Sequence, residues 1–472
     1  MAGAIEQSIP SPVNNVGPSQ NATPPAPAHA PGAADIDPAS AARACRIDPR
    51  ITALIPGFDA PFFQAGLAGY SDAAMRIIAR RHGCPYCVTE ALLDRTLLAG
   101  GRGFAKADLG DIAQNIPAAA DDHPLCGQLM GSEPAEMAVA AIKMIEQGAR
   151  HDREYKTMAW GVWNPAALPT NRTPCHRGPS SDLGALAGAP VPSPSLGFSS
   201  IDVNLACPVK KIKSKARGGH WLREPDGAIS ILKAVRVAVP SHIPCTLKIR
   251  RAYDDTPEMA RNFERIFDAA YELGYAWATV HARTVEQKYV GASRWTFLRD
   301  LVQRHPDRII FGSGDIWNVH DIFRMLAYTG VHAVSVARGC IGNPWIFHQA
   351  REMMAGREPL PPTVFQQRDV LREHFALAAA LHGEHSAGRQ MRKFAVRFAM
   401  HHPRSDAVRT RFIQCENTAD WQRVLDEHYA IDAPGRDISQ SNDPAAAGGL
   451  GEDASCEVDD SGLTSGVSRK IH

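Results

Sequence analysis

The chain has 472 residues, 44% hydrophobic and 21% charged, enough to bury a large core and to form more than one domain. Its net charge of +1 excludes binding to nucleic acid through an overall field, so any such partner must be held by a local basic patch. Ten cysteines without framework spacing read as reduced thiols of a cytoplasmic protein, and no apolar run reaches the roughly 18 residues of a membrane span.

Residues 1–45 hold 12 Ala and 8 Pro with almost no large hydrophobes. Burial there cannot offset the entropy of ordering, which predicts a disordered tail. The same residues lack the basic and apolar regions of a signal peptide, so export is not expected. Eight short β-rich runs follow: FFQAGLAG (62–69), CVTEA (87–91), LCGQLMG (125–131), IDVNLACP (201–208), CTLKIR (245–250), WATVHAR (277–283), RIIFGSGDI (308–316) and AVSVARG (333–339). Helical patterns with apolar residues three to four apart separate many of the pairs, as in EPAEMAVAAIKMIEQ and DGAISILKAVRVAV. Eight such units over residues 46–356 predict an α/β fold, a (β/α)8 TIM barrel. The stretch at about 151–198 is crowded with Pro, Gly and Ser and reads as an insertion at the bottom of the barrel, remote from chemistry. Residues 357–431 carry helical patterns only and form a small C-terminal all-helical domain. The Gly-, Ser- and acid-rich residues 432–472 are predicted to be a disordered acidic tail.

A TIM barrel builds its site at the carboxyl ends of its strands, where polar residues and glycine must interrupt apolar strand bodies. In chain order those ends carry Ala68 with Gly69, Glu90, Gln128, Asn204 with Cys207, Lys248 with Arg250, His281 with Arg283, Ser313 to Asp315, and Arg338 with Gly339. One Gln or His at such a place is more often a satisfied hydrogen-bonding residue than a catalyst; eight in register make a site. FGSGDI and VARGCIGNPW put glycines and a guanidinium after the last two strands, where barrels bind phosphate, which implies a phosphorylated ligand or cofactor. Lys248 is placed to neutralise an anionic ring or phosphate. Cys84-Pro-Tyr-Cys87 has zinc or redox spacing but no second pair near it, so a structural role and no metal are expected.

These residues resemble the tRNA-dihydrouridine synthases, a family of FMN-dependent barrels. The resemblance covers residues 60 to about 420 apart from the insertion. DVNLACPVKK is similar to the family's D-I-N-M-G-C-P-x-K-K through Asn204, Cys207, Pro208, Lys210 and Lys211. Further matches are A-G-x-x-D at Ala68, Gly69 and Asp72, T-E at Thr89 and Glu90, Q-L-x-G-S at Gln128 to Ser132, and L-K-I-R at Leu247 to Arg250. They continue with V-H-x-R-T at Val280 to Thr284, G-D-I at Gly314 to Ile316 and R-G-x-x-G-N-P-W at Arg338 to Trp345. The chain looks nearest the bacterial branch with a double lysine after the cysteine.

The resemblance implies reduction of the C5–C6 double bond of specific uridines in tRNA, with FMN as hydride donor, NADPH as reductant and Cys207 as the general acid at C5. It implies flavin contacts from Gly66, Leu67, Ala68, Gln128, Lys248 and His281, and phosphate contacts from Ser313, Gly314, Asp315, Ala337 and Arg338. For the substrate it implies Asn204 and Arg283 beside the base, Lys210 and Lys211 on RNA phosphates, and Arg392 with Lys393 in the helical domain. A uridine inside folded tRNA must be flipped out to reach such a site. The stretch 388–412, with seven Arg or Lys against one Asp, is the expected docking surface. A cytoplasmic monomer binding tRNA, and neither DNA nor membrane, is expected.

The chain departs from the family at Gly66, where the family has proline, at Ser313 for asparagine and at Ala337 for glycine. Residues 216–222 form a bulkier, more basic loop that is expected to lie over the substrate. Two other readings stay open: a flavin barrel of the dihydroorotate dehydrogenase kind acting on a free small molecule, and a flavin-free RNA-binding relative. The basic helical domain favours the tRNA enzyme over the first.

Overall fold

The computed structural model describes residues 32–98, 122–158, 197–208 and 217–438. Strands β1 (Phe62–Gln64), β2 (Cys87–Leu93), β3 (Leu125–Met130), β4 (Ser200–Leu205), β5 (Cys245–Ala252), β6 (Trp277–Thr284), β7 (Ile310–Ser313) and β8 (Ala333–Val336) pair in parallel, each with the next. β1 also pairs with β8, which closes the barrel in the predicted order. Runs such as IDVNL and CTLKI are continuous rather than alternating because side chains fill the interior while helices cover the outside.

The amino end of the barrel is plugged by apolar side chains. Phe58 stacks on Tyr86 with ring centroids 4.6 Å apart and meets Phe63 and Phe311 edge-on. Ile51 and Ile55, from and just after the helix Pro49–Leu54, complete this buried cluster. Water and ligands therefore meet polar side chains at the carboxyl end. Cys84 and Cys87 are buried at the entry to β2 with their Sγ atoms 3.8 Å apart.

Three segment boundaries differ from the sequence expectation. The stretch 1–45 was expected to be disordered throughout, yet Pro38–Ala44 is a helix whose first N–H groups, those of Ala39 and Ser40, donate to the Asp37 carboxylate. Ala33 and Ala42 are fully buried, and the helix packs on the outer helices Val319–Thr329 and Trp345–Met354. A count of large hydrophobes missed it because alanine contributes through close approach, not area. Residues 1–31 lie outside the described residues. The helix Pro134–Met158 runs into the expected insertion, whose remaining residues 159–196 lie outside the described residues. Residues 432–438 strap the helical domain: Val364 N–H donates to Ala433 O at 2.9 Å and Arg436 N–H to His401 O at 2.8 Å. Residues 439–472 lie outside the described residues.

The helical region comprises Val364–His382, Glu384–Phe398, Ser405–Ile413 and Thr418–His428. It sits beside the β1 loop. Asp72 caps the helix Ala73–Arg81 through the Met75 N–H, and its second oxygen meets His382 Nε2 at 3.0 Å. Gly342, with φ +64°, lies so close to the helix Glu384–Phe398 that a Cβ there would fall 2.5 Å from the Arg397 Cβ. Only glycine permits that approach.

Candidate active site at the carboxyl end of the barrel

β4 ends at Leu205, and Asn204 turns the chain out of the strand. Its Oδ1 accepts the backbone N–H groups of Ala206 (2.9 Å) and Cys207 (3.1 Å), an Asx-type turn. Cys207 is half-buried. Its carbonyl accepts the Gly219 N–H at 2.9 Å, and a Cβ on Gly218 (φ +51°) would lie 2.9 Å from that same oxygen. Arg250, 3% exposed, donates from Nε to Ala206 O (2.8 Å) and from Nη1 to Thr284 O and Lys288 O (2.7 Å each). β5 thus ties the cysteine loop to the loop after β6. The sequence offered one signal for this role, the two-residue spacing that puts Arg250 on the same face of β5 as Lys248.

Beneath Cys207 lies a buried polar network. Asp202 accepts from Thr246 Oγ1 (2.6 Å) and from Gln128 Nε2 (2.9 Å), and Gln128 Oε1 accepts from Asn204 Nδ2 (2.9 Å). Burial raises the Asp202 pKa to about 6, against the opposing effects of these hydrogen bonds and of the Lys248 charge. Burial likewise lowers Lys248 to about 8, although Asp202 pulls the other way. For both groups, desolvation outweighs attraction. Gly66, Gln128, Asp202, Thr246, Lys248 and Ser335 are among the residues that line a cavity here. A Cβ on Gly66 would lie 2.2 Å from Thr89 O, so the close backbone approach of the β1 loop to β2 accounts for glycine at this position. Leu67 N–H donates to Ser71 Oγ at 2.8 Å, which ties down the turn that carries Leu67 and Ala68 after β1.

The loops after β6, β7 and β8 form the other wall. His281 Nδ1 faces Ser313 Oγ at 3.4 Å, and its Nε2 is buried without a partner. Burial, then the charges of Arg250, Lys248, Arg283 and Arg338, hold its pKa well below the usual histidine range, so the ring is neutral. Gly314 (φ +116°) and Asp315 (φ 58°) are consecutive left-handed residues, and a Cβ on Gly314 would strike Ser293 Oγ at 2.2 Å. Arg338 lies over Trp317 (4.4 Å) and Tyr289 (5.0 Å), and burial lowers its pKa to about 10. Ala337 precedes it at the end of β8, and Gly339 abuts Ile316 O so tightly that a Cβ would lie 2.3 Å away.

Several expected ligand contacts are redirected inward. Arg283 and Asp315 bind each other: Nη2 donates to both carboxylate oxygens (2.6 and 2.8 Å), and Ser293 N–H adds a third bond at 2.7 Å. Both are buried, so they brace the wall instead of presenting a free guanidinium to the base and a free carboxylate to a phosphate. Arg283 Nη1 remains buried without a partner. Asn204 commits most of its hydrogen-bonding capacity to Gln128 and the cysteine loop, which makes it a support for Cys207 before a contact to the base. Lys393 turns inward, donating to Gly69 O and lying over the Tyr70 and Phe394 rings at 4.9 and 5.2 Å. It docks the helical domain and is not offered to RNA. Trp221, expected over the substrate, is buried with its Nε1 donating to Gly131 O at 3.1 Å. Of the seven basic residues in 388–412, Arg389, Arg404 and Arg409 are exposed, Arg392 is half-buried and Arg411 is paired with Glu427 at 3.0 Å. Lys210 and Lys211 lie outside the described residues.

The site can hold an anion. Lys248, Arg250, Arg283 and Arg338 converge on neutral His281, and two buried nitrogens, Arg283 Nη1 and His281 Nε2, lack partners. Gly66, Gly314 and Gly339 let the loops of this wall pack closely on Thr89, Ser293 and Ile316. The cations and the unpartnered buried nitrogens fit an anionic, phosphate-bearing ligand. Among the described residues one trio could offer metal ligands, Glu264, Asp268 and His305, but Arg304 and Arg308 already engage its two carboxylates. No described helix is long and apolar enough to cross a membrane.

Residues 185–433 match the family model described as dihydrouridine synthase. The chain belongs to the dihydrouridine synthase family. It is 29% identical over 370 residues to a probable tRNA-dihydrouridine synthase of Treponema pallidum, covering 77% of this chain and 91% of that one. Its likeness to tRNA-dihydrouridine synthase B of Shewanella oneidensis is 27% over 366 residues, 77% and 94% of the two chains. A probable tRNA-dihydrouridine synthase of Mycobacterium tuberculosis is 32% identical over 229 residues, 48% of this chain, and the match spans only 58% of that relative's length. The dihydrouridine synthase match opens just before β4 and closes on the strap at Ala433. It therefore takes in the Cys207 loop, the cationic wall and the helical domain.

Proposed function

We propose that the protein is a tRNA-dihydrouridine synthase that reduces the C5–C6 bond of uridines in tRNA, with FMN as cofactor and NADPH as reductant. The observation that carries this reading is the Cys207 loop, pinned by Asn204, Gly219 and Arg250 beside a cationic mouth with unpartnered buried nitrogens. When bound, the flavin supplies the hydride that C6 receives. Gly66, Leu67, Ala68, Gln128 and Lys248 hold its ring. Ser313, Gly314, Ala337, Arg338 and the backbone of Asp315 hold its phosphate, with His281 Nε2 and Arg283 Nη1 as further donors.

Cys207 gives its proton to C5: the S–H bond breaks, a C–H bond forms, and the thiolate left behind recovers a proton from solvent. A thiol is a suitable general acid for that step. The Arg250 guanidinium and the Cys207 sulfur interact electrostatically, which favours the thiolate product of the step. Arg389, Arg392, Arg404 and Arg409 outside the barrel, together with Lys210 and Lys211, contact tRNA phosphates while the target uridine is flipped into the mouth. Such an enzyme works in the cytoplasm.

The purified protein is expected to show a flavin absorption spectrum, to oxidise NADPH and to add two hydrogens to uridines of unmodified tRNA. A colourless protein that FMN does not reconstitute would overturn the reading. Flavin reduction with turnover of free pyrimidines and none of tRNA would favour a small-molecule flavin barrel instead.

A further inference from the structure

We infer that Asp202 is a positioning residue: it fixes the direction of a hydrogen-bond chain that ends on the backbone of Cys207 and so sets where the thiol sits. A carboxylate only accepts. Gln128 must therefore turn its amide N–H toward Asp202 (2.9 Å) and its Oε1 toward Asn204. Asn204 must answer with Nδ2 (2.9 Å), which leaves Oδ1 for the N–H groups of Ala206 and Cys207. Backbone N–H groups only donate, so the opposite direction would set N–H against N–H at the cysteine turn. An amide or a protonated carboxyl at position 202 can offer either a donor or an acceptor to Gln128. The ionised carboxylate makes one direction compulsory.

Asp202 is 4% exposed, and an ionised carboxylate in such a place is costly unless it is fully compensated. The groups that face it are Thr246 and Lys248 on β5, Gln128 and Cys126 on β3, and Tyr86 before β2, with Cys245 and Tyr275 beyond. Burial drives the tyrosines and cysteines of this set upward, Cys126 to about 12 and Cys245 to about 11. Around pH 6 only Asp202 in this group changes charge, since Lys248 titrates near 8. Both ends of the chain therefore impose its direction at neutral pH, whereas in mild acid only the backbone N–H groups of Ala206 and Cys207 do.

This inference rests on the proposed role of Cys207 only for its catalytic consequence; the position of the thiol can be read without tRNA. The test is the rate of Cys207 alkylation by iodoacetamide, followed by peptide mass spectrometry from pH 5 to 8 in the purified holoprotein. Wild type is expected to show a step near pH 6, of about three-fold or more, superimposed on the thiol's own titration. Asp202→Asn is expected to lose the step and to match acidic wild type throughout. In the double variant Asp202→Asn with Gln128→Glu, the amide introduced on β4 donates to the carboxylate introduced on β3, whose other oxygen accepts from Asn204. The neutral-pH alkylation rate should then return. A wild-type profile that follows only the thiol's titration would overturn the inference even if no variant folds. So would an Asp202→Asn profile that keeps the step. If the alkylation pattern holds but wild type makes no dihydrouridine, the functional reading fails and the positioning role stands.

Discussion

Replacing Arg250 with methionine keeps the volume of the stem but removes the guanidinium that joins three loops. The Ala206, Thr284 and Lys288 carbonyls each lose a charge-assisted hydrogen bond of 2.7–2.8 Å, worth about 1.5–3 kcal/mol apiece. Against this, the substitution relieves the burial of a cation whose pKa is lowered to about 10, a desolvation cost of about 3 kcal/mol. The bonds win, with a net loss of about 1.5–6 kcal/mol, concentrated in the Cys207 loop and the loop after β6. Urea unfolding should show a lower midpoint with an unchanged slope, and Cys207 should alkylate more slowly near neutral pH, because its thiolate loses the neighbouring guanidinium charge. Unchanged stability together with an unchanged alkylation rate would refute the role assigned to Arg250.

Asp202→Asn should stabilise the fold while harming the site. The native carboxyl titrates near 6 against an ordinary value of 3.8, so the native state binds the extra proton between those pH values and stability falls as pH rises through that window. The variant should gain on the order of 3 kcal/mol over wild type at about pH 8 and nothing at about pH 4, measured by urea unfolding; an equal gain at both would contradict the burial argument. His374, buried between helices with both ring nitrogens unpartnered, has its pKa lowered to about 4 by burial. Here the unfolded chain binds the proton first, so stability falls as pH drops from 6.5 toward 4. His374→Leu should flatten that limb, by about 3 kcal/mol at full extent, and an acid limb as steep as wild type's would exclude the assignment. Changing Arg404 and Arg409 together to Gln should lower the slope of log tRNA affinity against log salt by about 1–2. Lys393→Gln should leave that slope unchanged while reducing thermal stability, because its ammonium is engaged with Gly69 O.

The barrel was legible because strand bodies and strand ends differ in kind: ATV ends at His281 and TL at Lys248, and that contrast survives without any contact information. Cys207 was legible for the same reason, as a thiol followed by proline at the end of an apolar run. What the order of residues hides is which polar groups satisfy one another. Arg283 and Asp315 pair across 32 positions, and each alone looks like a ligand contact. Asp202 sits two residues inside β4, where an acid reads as part of a strand; its meaning lies in Gln128, 74 positions away. Lys393 belongs to a charge run by composition and to an interface by geometry. The helix Pro38–Ala44 escaped because its buried side chains are methyl groups.

The most direct test of the proposed chemistry is the formation of dihydrouridine in unmodified tRNA by wild type and Cys207→Ala, each loaded with FMN and supplied with NADPH. Wild type should add two hydrogens at defined uridines, whereas Cys207→Ala should retain its flavin and NADPH oxidation and lose most tRNA reduction, about 100-fold or more for a missing general acid. Equal dihydrouridine from both proteins would mean that a group other than Cys207 protonates C5.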